Sequence, residues 1–162
     1  MKKTAFSLVE LIFSIVLIGV LTGIGFYMNR SDPTRADAQY ALIKLKEARY
    51  RAIGYESSTV LGVNGGCVTL SKDALSNDVE PAHKVKSEIT ITSVITYDTP
   101  AAHSLNGNEI CFDGLGRPHE GNSVALNTLL NSDLNVTFNN TTYNTTIRIF
   151  PQSGYSAISC KN

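Results

Sequence analysis

Positions 6–28 are almost uniformly apolar, and from Leu11 to Met28 the chain runs for 18 residues without a charge. A helix from Phe6 to Met28 would be roughly 35 Å long, enough to cross a hydrocarbon core of about 30 Å. Its apolar residues lie on every face, and a chain of 162 residues could hardly surround such a helix in its own core. The pattern therefore predicts a membrane-inserted helix at 6–28.

The flanking residues predict the orientation of this helix. Lys2 and Lys3 precede the apolar run, which favours a cytoplasmic amino terminus and export of the rest. The residues that follow, Tyr27 to Pro33, contain no Ala-x-Ala cleavage site, and this argues against an ordinary secretory signal peptide. We expect a membrane anchor that carries an exported carboxy-terminal domain.

A second, amphipathic helical pattern covers 29–54. Asp32 is a suitable N-cap with Pro33 at the first helical position, and Gly54 is a suitable C-cap. Apolar or small residues recur between them at three- and four-residue spacing. We expect this stripe to pack on the chain's own sheet. Its members are Ala38, Ala41, Leu42, Leu45, Ala48 and Ala52.

Beyond residue 58 the hydrophobic period changes toward two, and Thr, Val and Ile are frequent. The last predicted strand pair is a hairpin about the turn Pro151–Gly154. The fold class expected is α+β, with a long amino-terminal helix, transmembrane then amphipathic, packed on an antiparallel sheet domain at 55–162. The predicted strands are Thr59–Val63, Cys67–Ser71, Glu88–Asp98, Asn108–Asp113, Val124–Leu130, Leu134–Asn139 and the hairpin Thr145–Ser159.

Charge and cysteine content limit the kinds of binding site that this chain can form. The net charge is zero, which does not indicate a basic surface for nucleic acid. Three cysteines allow at most one intramolecular disulfide. There is no CxxC spacing, and the histidines form no zinc-ligand pattern with the cysteines. We therefore expect no metal and no cofactor.

Glu10 is the one acid within the apolar segment. A carboxylate at the centre of a membrane helix costs about 2.5–3.5 kcal/mol, and less near an end, so such a residue usually has a partner. Cleavage before Phe6 would create a new α-amino group. A helix cannot easily fold back to join that amine to its own Glu10, whereas a neighbouring copy shifted along the axis can.

The stretch from Lys2 through Ala5 to Leu11 resembles the class III signal of type IV prepilins and type II secretion pseudopilins. The resemblance implies cleavage between Ala5 and Phe6 by prepilin peptidase, which removes a leader at 1–5. It also implies N-methylation of Phe6 and a contact between Glu10, the fifth mature residue, and the Phe6 amine of an adjacent subunit. This sequence departs from the family at Ala5, where Gly is usual.

Two carboxy-terminal stretches narrow the resemblance to one group within this family. Residues 109–118, EICFDGLGRP, and the final TTIRIFPQSGYS are similar to minor pseudopilins of the H type and related minor pilins. The resemblance implies a structural subunit, not an enzyme, that initiates or caps the pseudopilus of a type II secretion system. Its partners would be other pseudopilins or pilins, the prepilin peptidase and the inner-membrane assembly platform. It would sit in the bacterial inner membrane with its domain in the periplasm before it joins a filament.

Two other functions stay open at this point. A minor type IV pilin for adhesion, motility or DNA uptake would carry the same leader. A membrane-tethered periplasmic binding protein or enzyme would need the apolar segment only as an anchor.

The resemblance also bears on the cysteines. Cys160 occupies a position from which pilin-like domains fasten the carboxy terminus to the sheet. Its partner is Cys111 or Cys67, and we favour Cys111 because it lies in a well-defined predicted strand.

Three further groups of residues contain side chains that could carry chemistry. The segment Gly114–Gly121 contains Arg, His and Glu, but Pro118 and the lack of helical periodicity favour a turn between strands over a phosphate loop. Asn135, in Asp133-x-Asn135-x-Thr137, fits an acidic N-glycosylation sequon, although a polar strand is the favoured interpretation.

Nucleic-acid binding near the terminal hairpin would depend on clustered cations. Only Arg148 and Lys161 are present there, with Tyr155 nearby, which argues against it.

Overall fold

The structure is a computed structural model that describes residues 8–28, 32–54, 66–77, 83–121 and 124–159. For residues 23–28 it describes the helix but not the side chains. The chain divides into two compact units, Met1–Asp32 and Pro33–Asn162. Helix α1, Leu8–Met28, belongs to the first unit, and all other described helices and strands belong to the second.

Helix α1 is 21 residues long, and every side chain described in it, from Leu8 to Thr22, is exposed. Within the described part of the chain, no helix combines the length and apolar character that crossing a membrane requires.

The expected fold is wrong in two respects. In place of one long, transmembrane-then-amphipathic helix, the described residues form two helices in two units. In place of one sheet, they form two antiparallel sheets. Helix α2, Pro33–Gly54, begins at the proline, which has no N–H to bond to the preceding turn and therefore suits a helix start. The α+β class holds, but the pilin-like long helix does not.

Helix α2 buries one stripe of small and apolar side chains. Ala38, Ala41 and Leu45 are fully buried, and the small side chains allow a close approach to the sheets. The outer face carries charged side chains beside the exposed Ile43 and Tyr50, and Glu47 pairs there with Arg51 one turn later.

Of the predicted range 29–54, helix α2 covers Pro33–Gly54, and residues 29–31 lie outside the described residues. The predicted packing stripe is confirmed, except that Leu42 is only partly buried.

The described residues of the second unit form seven strands in two sheets. The three-stranded sheet has the order β1-β3-β4 and the four-stranded sheet has the order β2-β5-β6-β7, with every pair antiparallel. Strand bounds are β1 Cys67–Thr69, β2 Glu88–Ile91, β3 Glu109–Phe112, β4 Pro118–Glu120, β5 Leu134–Asn139, β6 Asn144–Ile149 and β7 Ser156–Ser159.

One hydrophobic core joins α2 to both sheets. Strands β5 and β6 alternate buried and less buried positions, as expected for a sheet with one covered face. Phe138, Ile147 and Ile149 have no exposed surface and belong to the same cluster as Leu45. The opposite face of β5 and β6 carries Thr, Asn and Arg side chains.

Several predicted strand bounds are corrected. Strand β1 stops at Thr69 because Ser71 caps a short helix, α3, Lys72–Ser76, by accepting a hydrogen bond from the Ala74 N–H at 3.2 Å. The predicted Glu88–Asp98 strand ends at Ile91 and continues only as single bridges.

The predicted Val124–Leu130 strand is wrong. A 3₁₀ turn occupies Leu126–Thr128, and the Thr128 hydroxyl donates to the Ala125 carbonyl at 2.8 Å, a local bond that competes with strand pairing. Strand β4, in a segment predicted as a turn, was missed. Strand β5 and the terminal hairpin are confirmed, and Thr59–Val63 lies outside the described residues.

Candidate functional site

Helix α1 carries the first candidate site, an apolar surface with one acid. Glu10 lies in the first turn, where a negative charge is favoured by the helix dipole. Its side chain is exposed, and the Ser14 hydroxyl donates to the Glu10 carbonyl at 2.8 Å, which satisfies the serine within the helix. Leu8 and Phe13, on different faces, are 74% and 67% exposed. The helix therefore presents apolar side chains in all directions, with a carboxylate near its amino end.

The processing residues are not placed. Ala5 and Phe6, between which the leader would be cut, lie outside the described residues, as does the amine that would contact Glu10.

A buried carboxylate on α2 forms a second polar site that the sequence pattern did not indicate. Asp37 Oδ2 accepts hydrogen bonds from the backbone N–H groups of Lys86 and Ser87 at 3.0 and 2.8 Å. Asp37 Oδ1 lies 2.7 Å from His83 Nε2. Burial acts to raise the pKa of Asp37, but its interactions with Ser87, then His83 and Lys86, outweigh burial and hold that pKa below its ordinary value. The site fastens α2 to the segment before β2.

The predicted turn at Gly114–Gly121 is organised by Asp113. Its Oδ1 accepts from the backbone N–H groups of Leu115 and Arg117 at 3.0 and 2.8 Å, and its Oδ2 accepts from Arg117 Nε at 2.7 Å. Gly116 has a φ of +76°, in the left-handed region that glycine adopts without strain. The turn interpretation is correct for 114–117, whereas Pro118–Glu120 is strand β4. Arg117 is engaged with the carboxylate that shapes its own turn.

His119 lies between a hydroxyl and a carboxylate, an arrangement that superficially resembles a hydrolytic triad. His119 Nδ1 is 3.0 Å from the Ala125 carbonyl and 3.1 Å from Thr128 Oγ1, and Nε2 is 3.4 Å from Asp113 Oδ2. The Thr128 hydroxyl already donates to the Ala125 carbonyl at 2.8 Å, so its proton is not directed at Nδ1. The ring is 2% exposed, and burial lowers the pKa of His119. The arrangement is structural.

His103 and Glu120 form a third polar pair, between residues 17 apart in sequence. His103 Nε2 lies 2.6 Å from Glu120 Oε2, and Glu120 Oε1 accepts from the Asn106 N–H at 3.0 Å. The hydrogen bond that His103 makes to the Glu120 carboxylate raises the pKa of His103. No local motif marks this pair, because the strand pairing and the bridge between Val94 and His103 bring it together.

The disulfide favoured from the resemblance is corrected. Cys67 pairs with Cys111, 44 residues away, and not Cys160 with Cys111. The reason is the register, which places Cys67 of β1 directly opposite Cys111 of β3. Cys160 lies outside the described residues. Glu109 lies near both sulfurs, but sulfurs joined in a disulfide are not thiolate ligands, so this cluster does not offer a metal site.

Two of the remaining candidates, Asn135 and Arg148, lie on the open face of the four-stranded sheet. Asn135 is half-buried within β5, between β2 and β6, opposite Arg148. Arg148 is paired with Asp133, so its charge is locally balanced. Tyr155 is exposed beside it, and Lys161 lies outside the described residues.

Comparison with known proteins found no matching family model, no matching curated protein and no matching solved structure.

Proposed function

We propose that this chain is a minor pseudopilin, a structural subunit that initiates or caps the pseudopilus of a type II secretion system. The observation that supports this most is the surface of α1. Its side chains from Leu8 to Thr22 are exposed in every direction, and the single acid of that stretch, Glu10, stands near the amino end. A helix of this composition needs an apolar environment, which helices of neighbouring subunits would supply.

The role of Glu10 follows from its charge. In an apolar subunit interface an unpaired carboxylate is strongly disfavoured, so the acid selects the arrangement in which a cation meets it. The leader resemblance supplies that cation as the Phe6 amine of the adjacent subunit, exposed by cleavage after Ala5 and then methylated. Pairing with this amine would set the axial register of one subunit against the next.

The proposal assigns the second unit a different task. The domain Pro33–Asn162 has its own core and a disulfide, which suits a periplasmic location and contact with other minor subunits. Before assembly the protein would reside at the bacterial inner membrane, where the prepilin peptidase and the assembly platform act on it. The role needs no catalytic group and no cofactor.

The test compares variants of α1 in the full-length protein. Glu10→Ala and Glu10→Leu should remain membrane-associated and lose incorporation into the filament, because apolar contacts persist while the register contact is gone. Ser14→Ala is the matched control, since it alters a polar side chain on the same helix that bonds only to its own backbone. Incorporation is measured by co-purification with the other pseudopilins, and the mass of the mature amino-terminal peptide checks cleavage and methylation.

Each alternative predicts a different result. If both Glu10 variants function as the parent does, Glu10 has no assembly role and the chain is a tethered periplasmic protein. Recovery in retractile surface pili, without the secretion pseudopilins, would instead identify a minor type IV pilin. An uncleaved amino terminus in the assembled protein would overturn the proposal outright.

A further inference from the structure

The hairpin between β6 and β7 holds two aromatic rings on one side. The Phe150 N–H donates to the Tyr155 carbonyl at 2.9 Å, and the Gly154 N–H donates back to the Phe150 carbonyl at 2.8 Å. These bonds place the two rings next to each other, with centroids 6.1 Å apart and planes inclined by 30°. The Tyr155 side chain is 56% exposed, so much of its ring faces solvent.

Contacts with helix α2 and with the 114–117 turn fix the position of this hairpin. Arg49 Nε of α2 donates to the Ser153 carbonyl at 2.9 Å. Gly154 has a φ of +62°, and a Cβ at that position would stand only 2.0 Å from the Gly116 carbonyl oxygen, so the turn sits directly on the 114–117 turn. A site built on such a turn loses little conformational entropy when it binds a ligand.

A fixed ion pair lies beside the rings. The Arg148 guanidinium lies 4.8 Å from the centroid of Phe150 and donates from both Nε and Nη2 to Asp133 Oδ2. No hydrogen bond among the described residues uses Asp133 Oδ1, which can therefore accept from a ligand hydroxyl. Rings, ion pair, Gln152 and Ser153 together line a shallow cavity of about 620 Å³.

The charges of this cavity favour a neutral ligand. Arg148 and Asp133 cancel each other, and Arg117, which lines the adjoining cavity, is paired with Asp113. Phosphate-rich or acidic ligands need a surplus of cations, which these paired arginines do not supply. A neutral ligand with an apolar face and hydroxyl groups along its edge matches both the two aromatic rings and the polar side chains of Asp133, Arg148 and Gln152.

We infer that this cavity binds a neutral saccharide, with one pyranose stacked on Tyr155. The axial C–H face of a pyranose packs against an aromatic ring, while its equatorial hydroxyls point outward in the plane of the sugar. Asp133 Oδ1 accepts from one of these hydroxyls, and Gln152 and Ser153 bond to others. The volume lies within the range that small-ligand sites occupy, about 300–1,000 Å³, and admits one or two sugar rings. This inference is independent of the filament role.

Calorimetric titration of the full-length protein in detergent micelles with chitotetraose and with maltotetraose tests the site. At least one of the two should bind saturably. Tyr155→Ala should weaken that binding about tenfold, since stacking on an aromatic ring is worth on the order of 1 kcal/mol or more. Tyr155→Phe should retain it, because the ring remains. Asp133→Ala should weaken it by a similar factor.

Tyr50→Ala is the matched control, because Tyr50 is a tyrosine of α2 that is 67% exposed and lies outside the cavity. It should bind as the parent does. Three results would overturn the inference: neither tetrasaccharide binds saturably, Tyr155→Ala binds as tightly as Tyr155→Phe, or Tyr50→Ala weakens binding equally. Displacement of the bound sugar from this site by a decaproline peptide that binds more tightly would also overturn it, in favour of a peptide groove.

Discussion

Helices α1 and α2 are nearly equal in length, 21 and 22 residues, and opposite in how their side chains are used. The described side chains of helix α1 are apolar apart from Glu10, Ser14 and Thr22, and all of them are exposed. Helix α2 is polar over most of its surface, yet it supplies fully buried residues to the core.

The difference shows that burial depends on pattern more than on total hydrophobicity. A helix with one apolar stripe can satisfy that stripe with a single sheet surface and leave its charges in water. A helix that is apolar all round cannot be covered by one such surface. Helix α2 therefore buries its stripe within its own unit, whereas the described side chains of α1 are exposed.

The largest expected effect comes from truncating leucines on the two helices. Leu45→Ala removes a fully buried side chain of α2 and should lower the free energy of unfolding of the domain by about 2–5 kcal/mol. Leu11→Ala, at a position 55% exposed on α1, should change it by less than about 0.5 kcal/mol. Denaturant unfolding followed by circular dichroism measures both. Equal losses would contradict the comparison, because the exposed leucine would then matter to stability as much as the buried one.

The disulfide provides the second test. Replacing Cys67 and Cys111 together by Ala should cost about 2–4 kcal/mol of domain stability, because the unfolded chain loses a cross-link between residues 44 apart. Unfolding under non-reducing conditions measures the loss, and a peptide map identifies the linked cysteines. Cys160→Ala is the control and should leave stability near that of the parent. If Cys160→Ala instead caused a large loss of stability, the result would support the pairing of Cys160 that the resemblance implied.

The two helices also carry acids in contrasting surroundings, since Asp37 of α2 is buried and Glu10 of α1 is exposed. Replacing these acids gives the smallest expected effect on stability. Asp37→Ala leaves the N–H groups of Lys86 and Ser87 without their acceptor and should cost about 1–3 kcal/mol. Glu10→Gln, on the exposed face of α1, should leave the domain's stability unchanged.

The Asp37→Ala and Glu10→Gln variants also test how the free energy of unfolding depends on pH. The pKa of Asp37 in the folded protein lies below its ordinary value of 3.8. Its contribution is therefore complete above about pH 4 and is lost as the pH falls through the folded-state pKa. Free energies of unfolding measured from about pH 6 to about pH 2 should fall more steeply for the parent and for Glu10→Gln than for Asp37→Ala. Parallel curves for the parent and Asp37→Ala would show that this carboxylate is not held as described.

Local chemistry accounts for the parts of the fold that could be predicted. The start of α2 at Pro33 and its end at Gly54 follow from backbone restrictions of those two residues. Strand β5 follows from strict alternation, and the terminal hairpin follows from its Pro and Gly turn positions. The strand predicted at 124–130 failed because Thr128 bonds to the local backbone, a competition that composition does not reveal.

Contacts between distant residues account for what could not be predicted. The cysteine pair depends on the register of β1 against β3, and the Asp37 site joins residues 46 to 50 positions apart. The rings and ion pair of the hairpin cavity come together only because β5, β6 and β7 lie side by side.

By itself, the amino-acid sequence determined where α2 lies and which of its faces is apolar, because helix caps and periodicity are local properties of the chain. It also determined that the segment containing Glu10 is apolar on all sides. Only the tertiary structure decided that two helices replace one and that two sheets share the core. It likewise decided that Cys67 meets Cys111, because strand register and helix packing depend on the fit of surfaces far apart in sequence.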